Sequence, residues 1–263
     1  MNRPVNPPAR KRWGQNFLID PNMIDKLIRT IGPNQDDHFL EIGPGHGELT
    51  LPLAAQVAAV TAVDIDPWLV EDLKAIAPEN VRIIEADILA VDLTSLLGKQ
   101  SRVYGSLPYY ITSKILFRLV DERKRWSDAH VIVQKEVGER MAADPGTKLY
   151  GRLSVMLQAY LDVETCHELP PTVFKPQPDV ASVLVRLKPS GNENAIENAK
   201  LFASVVRLAF GQRRKKLSNS LKSLDMGQIL AEQGIAELRA ERLSVTDFIT
   251  IANQLNLQRQ NPA

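Results

Sequence analysis

The sequence predicts a doubly wound α/β domain with a mixed sheet edge, followed by a small all-α domain. Three observations carry this prediction. Short apolar runs alternate with amphipathic helical runs through residues 1–190. The first of these apolar runs ends in a glycine-rich turn at residues 43–47. Residues 189–194 have the composition of a linker, and no strand pattern follows them. We therefore assign residues 1–190 to the first domain and residues 191–263 to the second.

The elements of the first domain follow in the order that this fold requires. Asp20 supplies an N-cap and Pro21 a first-turn proline for a helix that runs to about residue 30. Strands are predicted at residues 38–42, 59–64, 81–85, 102–105 and 130–134, and helices at 49–57, 67–77, 113–120, 135–143 and 153–160. In helix 67–77 we expect Trp68, Leu69, Leu73 and Ile76 to face the core. Strands at 163–169 and 180–188 are predicted to close the sheet as an antiparallel pair.

The second domain shows only helical patterns. Helices are predicted at residues 199–209, 215–221, 227–233 and 245–256. Gly211 and Gly234 are expected to end two of them.

The composition excludes several classes of protein. The single cysteine, Cys166, rules out an internal disulfide framework and a cysteine-cluster zinc site. Four scattered histidines lack the spacing of metal ligands, so we expect no metal. No apolar run is long enough to cross a bilayer, and the basic N-terminus has no signal-peptide core behind it. We expect a cytoplasmic monomer that does not associate with membranes.

The glycine-rich turn indicates a place where the backbone approaches a ligand closely. Gly43, Gly45 and Gly47 follow an apolar run that ends in Glu41 and Ile42. Glycine has no Cβ and tolerates positive φ, which both a close approach and a plain tight turn require. The spacing is G-x-G-x-G and differs from the G-x-G-x-x-G of dinucleotide-binding folds. We favour the ligand over the purely structural interpretation.

Acidic side chains end the next two predicted strands. Asp64, at the tip of its strand, is expected to accept hydrogen bonds from both hydroxyls of a ribose. Asp66 is expected to cap the helix that begins at Pro67. Asp87, after the third strand, suits either contact with the exocyclic amine of a purine or a second helix cap.

A glycine turn with a ribose carboxylate suits either a dinucleotide or S-adenosylmethionine, and the glycine spacing counts against the dinucleotide. Ser106, Leu107, Pro108 and Tyr109 follow the fourth strand and favour transfer of a methyl group to an exocyclic amine. The lone pair of such an amine is delocalised into the ring, so it needs acceptors that draw its protons aside. It also needs an aromatic face that holds the base flat. We expect one of Tyr109 and Tyr110 to pack in the core instead.

Five segments together make the sequence similar to one known family. They are residues 11–18 (KRWGQNFL), 41–47 (EIGPGHG), 107–113 (LPYYITS), 174–182 (FKPQPDVAS) and 212–215 (QRRK). The chain resembles the ribosomal RNA adenine dimethyltransferases, above all the small-subunit branch linked to kasugamycin sensitivity. The resemblance implies a Rossmann-like, class I S-adenosylmethionine-dependent methyltransferase fold with a mixed seven-stranded sheet. It also implies dimethylation of N6 on two adjacent adenosines in the 3′-terminal hairpin of 16S rRNA, during biogenesis of the small subunit.

The resemblance also implies roles for individual residues. The cofactor would contact Asn16, Leu18, Gly43, Asp64, Asp87 and Ser106. The catalytic positions would be Ser106, Leu107, Pro108, Tyr109 and Phe174, with Tyr109 and Phe174 enclosing the target adenine. The family often has Glu at position 64 and usually has Asn at position 106. Because a serine hydroxyl is shorter than an asparagine carbonyl and can also donate, we expect an active but slower enzyme.

Two basic clusters predict contact with the RNA backbone. Arg10, Lys11 and Arg12 belong to an N-terminal arm without acids. Residues 207–222 also contain no acid, and they include Arg207, Arg213, Arg214, Lys215, Lys216 and Lys222. Such clusters bind phosphates with a steep salt dependence, although a solvated helix face is the commoner fate of a charge run.

Three other functions stay open at this stage. A 23S rRNA adenine methyltransferase of the antibiotic-resistance type would share the fold and chemistry. An assembly factor for the small subunit, with secondary catalysis, is compatible with the serine at position 106. A nicotinamide-dependent dehydrogenase is disfavoured by the glycine spacing.

Overall fold

The computed structural model describes residues 15–191, 195–212 and 214–260. The chain forms two compact units, one of residues Met1–Gly138 and Glu164–Pro189 and one of residues Glu139–Val163 and Ser190–Ala263. Within the described residues, no helix combines the length and apolarity needed to cross a membrane.

A seven-stranded sheet organises the first unit, and its strands are ordered β4-β3-β2-β5-β6-β9-β7. The strands are β2 (His38–Ile42), β3 (Ala59–Asp64), β4 (Val81–Glu85), β5 (Ser101–Ser106), β6 (Trp126–Gln134), β7 (Leu161–Leu169) and β9 (Ser182–Pro189). The pairs among β4, β3, β2, β5 and β6 are parallel, whereas β6 and β9 are antiparallel. The prediction of a doubly wound sheet with a mixed edge is therefore confirmed.

Helices connect the parallel strands, as the alternating sequence pattern requires. Helix α2 (Thr50–Ala54) joins β2 to β3, α3 (Pro67–Ile76) joins β3 to β4, and α4 (Thr112–Asp121) joins β5 to β6. Helix α1 (Pro21–Ile31) precedes β2, and α5 (Lys135–Met141) and α6 (Arg152–Gln158) lie between β6 and β7. Asp20 accepts a hydrogen bond from the Met23 amide at 2.8 Å and so caps α1 as predicted. Buried residues of α1 and α2 join those of β2, β3 and β9 in one apolar core beneath the sheet.

Two short strands form a second, separate sheet. Strand β1 (Phe17–Leu18) pairs antiparallel with β8 (Phe174–Lys175). The Ile19 amide extends this contact by donating to the Val173 carbonyl oxygen at 2.8 Å. The pairing joins two segments that lie far apart in the sequence.

The second unit is helical and contains α7 (Ala199–Gly211), α8 (Leu217–Ser220), α9 (Gly227–Glu232) and α10 (Val245–Gln260). The Tyr150 ring lies 6.1 Å from that of Phe210, which in turn lies 5.6 Å from the Phe248 ring. These contacts explain why residues 139–163, which a boundary at residue 190 leaves in the first domain, cluster with the C-terminal helices. The assignment of domains by function stays a prediction.

Several local predictions need correction. The predicted helix 49–57 is shorter and comprises only Thr50–Ala54, and strand 130–134 begins earlier, at Trp126. Trp68 and Ile76 were expected to face the core, but they are 40% and 60% exposed. Leu69 and Leu73 are buried as predicted, and Val70 completes the buried face of α3. An apolar side chain at either end of a helix has solvent beside it, so helical spacing alone does not determine its burial.

Candidate active site

The predicted site residues meet at one edge of the sheet because of the order of the strands. Asp64 ends β3, Gly43 follows β2, and Ser106 ends β5. Since β2 pairs in parallel with both β3 and β5, with Ile42 opposite Val63 and Gly105, these three positions lie side by side. Asp87 follows β4, which pairs with β3 on its other side. This edge, at the carboxyl ends of the strands, is where α/β sheets bind ligands.

A cavity opens at this edge within the first unit. Its lining includes five of the six predicted cofactor residues, namely Asn16, Gly43, Asp64, Asp87 and Ser106. The sixth, Leu18, lines a smaller neighbouring cavity together with Asn16, Gly43 and Ser106. All five predicted catalytic positions, Ser106, Leu107, Pro108, Tyr109 and Phe174, also line the larger cavity. The structure thus brings all of these predicted residues except Leu18 to the lining of one cavity.

The glycine turn forms the wall of the cavity between β2 and β5. Gly43 has a φ of +72°, and a Cβ there would lie 3.3 Å from the Ser106 carbonyl oxygen. At Gly45 a Cβ would lie 2.9 Å from Glu48 Oε2 and 3.1 Å from Phe17 Cδ1. A side chain at either position would occupy the narrow gap between the turn and its neighbours. The turn therefore leaves its backbone accessible beside the end of β5.

The acidic residues at the strand ends have distinct roles. Asp66 is buried and accepts from the Trp68 amide at 3.1 Å, which confirms the predicted cap of α3. Asp64 accepts from the Asp66 amide at 2.9 Å and also faces the cavity. Asp87 accepts from the Leu89 amide at 2.8 Å through one oxygen. The residues that follow Asp87, at 88–90, form a turn rather than a helix, so the alternative of a helix cap is wrong and Asp87 caps a turn instead. Asp87 also lines the cavity, which leaves the predicted contact with a purine open to it.

Ser106, Leu107, Pro108 and Tyr109 leave β5 and enter a tight turn. The Ile111 amide donates to the Pro108 carbonyl oxygen at 3.1 Å and closes this turn. The Tyr109 hydroxyl and Ser182 Oγ share a hydrogen bond of 2.9 Å. The expectation that one of the two tyrosines packs in the core is wrong, since Tyr109 is only partly buried and Tyr110 is 59% exposed. Both rings border the cavity because they occupy the corner of the turn.

Burial determines which carboxyl groups are charged around the turn. Glu41 in β2 is 1% exposed, and burial raises its pKa to about 8. Its Oε2 has no hydrogen-bond partner among the residues described by the structure. Burial also raises the pKa of Asp64, to about 6, against the effect of the hydrogen bond from the Asp66 amide. At neutral pH Glu41 is therefore mostly protonated, and Asp64 mostly carries a negative charge.

The charge of the cavity limits what it can bind. Two carboxylates, Asp64 and Asp87, line it, and none of its described lining residues is a lysine or arginine. A sulfonium ion would be attracted by these carboxylates, whereas a dinucleotide is disfavoured by the G-x-G-x-G spacing rather than by charge, since its ribose also binds a carboxylate. Apolar side chains of Ile65 and Ile88 lie beside the two carboxylates, as a nucleoside base requires. The residues present fit S-adenosylmethionine better than a dinucleotide.

Sequence reasoning missed several lining residues. Gln15 donates from Nε2 to Asp66 Oδ2 at 3.1 Å and lines the cavity. The Phe17 ring lies 4.4 Å from the His46 ring of the glycine turn. A polar pair at positions 15 and 16 before a short apolar run was the available signal for Gln15. The pairing of β1 with β8 had no sequence signal of its own.

The predicted RNA-binding residues are only partly described. Arg10, Lys11, Arg12 and Arg213 lie outside the described residues. Arg214, Lys215 and Lys216 are exposed and line a groove of the second unit with Gln212 and Asn219. Lys216 forms an ion pair with Glu237, so part of its charge is already matched. The exposed cations of this groove could bind a phosphate backbone, and the groove itself does not identify the partner.

Comparison with known families decides the family of the chain. The family model described as ribosomal RNA adenine dimethylase matches residues 7–257. The chain belongs to this family. The resemblance drawn from the sequence motifs is thereby confirmed.

Curated relatives match over nearly their whole length. The ribosomal RNA small subunit methyltransferase A of Xylella fastidiosa (strain Temecula1 / ATCC 700964) is 45% identical over 263 residues, which cover 97% of this chain and 99% of the relative. The protein of the same name from Xanthomonas axonopodis pv. citri is 45% identical over 258 residues, covering 96% and 98% of the two chains.

Solved structures confirm the predicted fold class. A dimethyladenosine transferase from Plasmodium falciparum superposes with a TM-score of 0.84 at 25% identity, covering 92% of this chain and 98% of that one. The 23S rRNA methyltransferase ErmE superposes with a TM-score of 0.71 at 26% identity, covering 92% of this chain and 100% of that one.

Proposed function

We propose that the chain transfers methyl groups from S-adenosylmethionine to N6 of adenines in small-subunit ribosomal RNA. In the finer form of the proposal, two adjacent adenosines of the 3′-terminal hairpin of 16S rRNA each receive two methyl groups during subunit biogenesis. Membership of the adenine dimethylase family supports the reaction. The relatives named for the small subunit, at 45% identity over nearly complete chains, support the substrate. A substrate of this kind implies work in the cytoplasm, and a monomeric state stays a prediction.

The observation that carries the proposal is the charge of the cavity beside the glycine turn. Bound there, S-adenosylmethionine would supply a methyl group already attached to a positively charged sulfur. Asp64 and Asp87 attract this positive charge and accept hydrogen bonds, and no described lining residue repels it. Asn16, Leu18, Gly43 and Ser106 would complete the set of cofactor contacts, since each of the four lines this cavity or its smaller neighbour.

The residues after β5 would prepare the amine for attack. Ser106 Oγ can accept a hydrogen bond from one N–H of the amine, and a backbone carbonyl oxygen of Ser106 or Leu107 can accept one from the other N–H. The Leu107 side chain is apolar and buried, so only its backbone can take part. Pro108 has no N–H that would compete for the same acceptors. With its protons drawn aside, the nitrogen lone pair becomes available in the direction of the cofactor cavity.

Two aromatic side chains would hold the adenine. Tyr109 is fixed through its hydroxyl to Ser182, and Phe174 is 4% exposed and fixed in β8 by its pairing with β1. Both rings line the cavity that Ser106 borders. Because these rings are already held in place, little conformational entropy is lost when they bind a base. They can therefore position the adenine in front of the cofactor. Catalysis then depends on geometry rather than on a strong base.

The exposed cations of the second unit would bind the RNA backbone. Arg214 and Lys215 in the groove are the described candidates, with Lys216 weakened by its ion pair with Glu237. The N-terminal cations Arg10, Lys11 and Arg12, and Arg213, belong to the same proposal from the sequence alone. Affinity for RNA should fall steeply as the salt concentration rises.

Mass spectrometry of ribosomal RNA tests the function directly. Small subunits that lack adenine dimethylation are incubated with the protein and isotopically labelled S-adenosylmethionine, and large subunits serve as the control. Label on two adjacent adenosines near the 3′ end of 16S rRNA supports the proposal. Label on 23S rRNA alone would contradict the proposal and favour a 23S rRNA adenine methyltransferase of the antibiotic-resistance type, to which the similarity to ErmE also points. Assembly activity without any label would favour an assembly factor.

A further inference from the structure

Tyr110 stands out among the aromatic residues because its large ring is left in solvent. It is 59% exposed, more than Trp68 at 40%. Its position is at the mouth of the cavity that Tyr109, Phe174 and Ser106 also line. An exposed aromatic side chain at the rim of a binding cavity is a candidate contact for whatever enters it.

The turn after β5 holds this ring apart from that of Tyr109. The Ile111 amide donates to the Pro108 carbonyl oxygen at 3.1 Å, and Thr112 Oγ1 donates to the same oxygen at 3.0 Å. Tyr109 and Tyr110 therefore occupy the two corner positions of a turn that is fixed at both ends. The hydrogen bond to Ser182 holds the Tyr109 side chain toward that residue. The side chain of the next corner residue, Tyr110, points a different way. Tyr110 is left facing outward from a rigid support.

The chemistry of the proposed reaction creates a need for such a ring. An adenine reaches the acceptors at Ser106 only if it leaves the stack of its own strand. The base next to it then loses a stacking partner on one face. An aromatic side chain can replace that partner, and every nucleobase has a face that it can cover.

We propose that Tyr110 stacks on the nucleobase next to the target adenine and so selects RNA in which that neighbour is also free to unstack. This inference rests on the proposed function. It assigns Tyr110 to substrate binding, separate from the base-enclosing pair of Tyr109 and Phe174. It also gives the site a contact suited to two consecutive unpaired bases rather than to a single one.

The test uses four substitutions at this position in the full chain, with small subunits lacking adenine dimethylation as substrate. Tyr110→Phe and Tyr110→Trp keep an aromatic face, Tyr110→Leu keeps apolar bulk, and Tyr110→Ala removes both. Loss of one base–aromatic stack should raise the KM for subunits by about fivefold to a hundredfold in the Ala and Leu variants. The KM of the Phe and Trp variants for subunits should stay close to that of the wild type. The KM for S-adenosylmethionine and the thermal stability should not change in any of them.

Ile76→Ala is the matched control, since Ile76 is equally exposed at the far end of α3. A wild-type KM for subunits in Tyr110→Ala overturns the inference. A wild-type KM for subunits in Tyr110→Leu also overturns it, because an apolar side chain would then suffice without an aromatic ring. If the wild-type protein methylates no ribosomal adenine, the proposed function fails and the inference falls with it. If the wild type is active and the aromatic and aliphatic variants do not differ, only the inference fails.

Discussion

Gly105 in β5 offers a sharp test of how the two halves of the site are held together. It lies opposite Ile42 of β2, so the chain continues from these two residues into Ser106 and Gly43. A Cβ at Gly105 would lie 2.5 Å from the Ile42 carbonyl oxygen and 2.9 Å from Ile42 Cβ. Ordinary contacts begin at 3.4 Å, so Gly105→Ala must move the two strands apart by several tenths of an ångström. This displacement falls directly between the cofactor turn and the amine acceptors.

Gly105→Ala should lower both the stability and the rate. Overpacking of this kind costs roughly 1–3 kcal/mol of folding free energy. A misplacement approaching 1 Å at reacting groups can lower the rate by about a hundredfold. We therefore expect Gly105→Ala to fold with a reduced melting temperature and to lose about one to two orders of magnitude in kcat.

The assay is methyl transfer from labelled S-adenosylmethionine to small subunits lacking adenine dimethylation, with thermal denaturation measured in parallel. Gly98→Ala is the control, because a Cβ there would find its nearest neighbour, Ser101 Oγ, at 3.7 Å. That variant should keep both rate and stability. A folded Gly105→Ala enzyme with wild-type kcat would refute the argument that the spacing of β2 and β5 governs the reaction.

Three further predictions concern individual side chains. Ser106→Ala should lower the methylation rate by about tenfold to a hundredfold through loss of one acceptor, and Ser106→Asn should raise it; equal rates for all three enzymes would remove the role given to this hydroxyl. Because the pKa of Asp64 is about 6, calorimetry should show weaker binding of S-adenosylmethionine as the pH falls through that value, whereas Asp64→Asn should bind weakly at every pH; a pH-independent wild type would contradict the ribose contact. Burial raises the pKa of Glu41 from 4.5 to about 8, so the folded state holds this proton more tightly than the unfolded chain does, and stability should decline between those pH values. Between about pH 6 and pH 8, above the pKa of Asp64, Glu41 should contribute a decline of about 1.4 kcal/mol per pH unit in urea unfolding, and Glu41→Gln should lose this contribution; an unchanged slope would show that Glu41 is not the group responsible.

Much of the fold could be predicted because its signals are local. The cap at Asp20, the cap at Asp66 and the bounds of β2, β3 and β4 all matched the sequence patterns. A cap or a strand of five residues depends on neighbours within one or two turns of chain. The exposure of Trp68 and Tyr110 did not follow from the patterns, because it depends on which surfaces are left uncovered after packing.

The candidate site divides in the same way. The glycine turn, the acids after the strands and the residues 106–109 were all found from the sequence, and the structure brings them to one cavity. Their roles stay predictions. Gln15 and the ring contact between Phe17 and His46 were missed, since they depend on β1 lying against β8.

The sequence by itself determined the family, the succession of strands and helices, and the chemical groups that stand after each strand. Only the tertiary structure decided that Asp87, Asp64, Gly43 and Ser106 lie in that order along one edge, because the order β4-β3-β2-β5 arises from pairing between distant strands. It also decided that Phe174 reaches the same cavity and that Glu41 is buried without charge. Local chain chemistry specifies turns and caps, whereas neighbours in space, and the burial that shifts a pKa, exist only once the whole unit has packed.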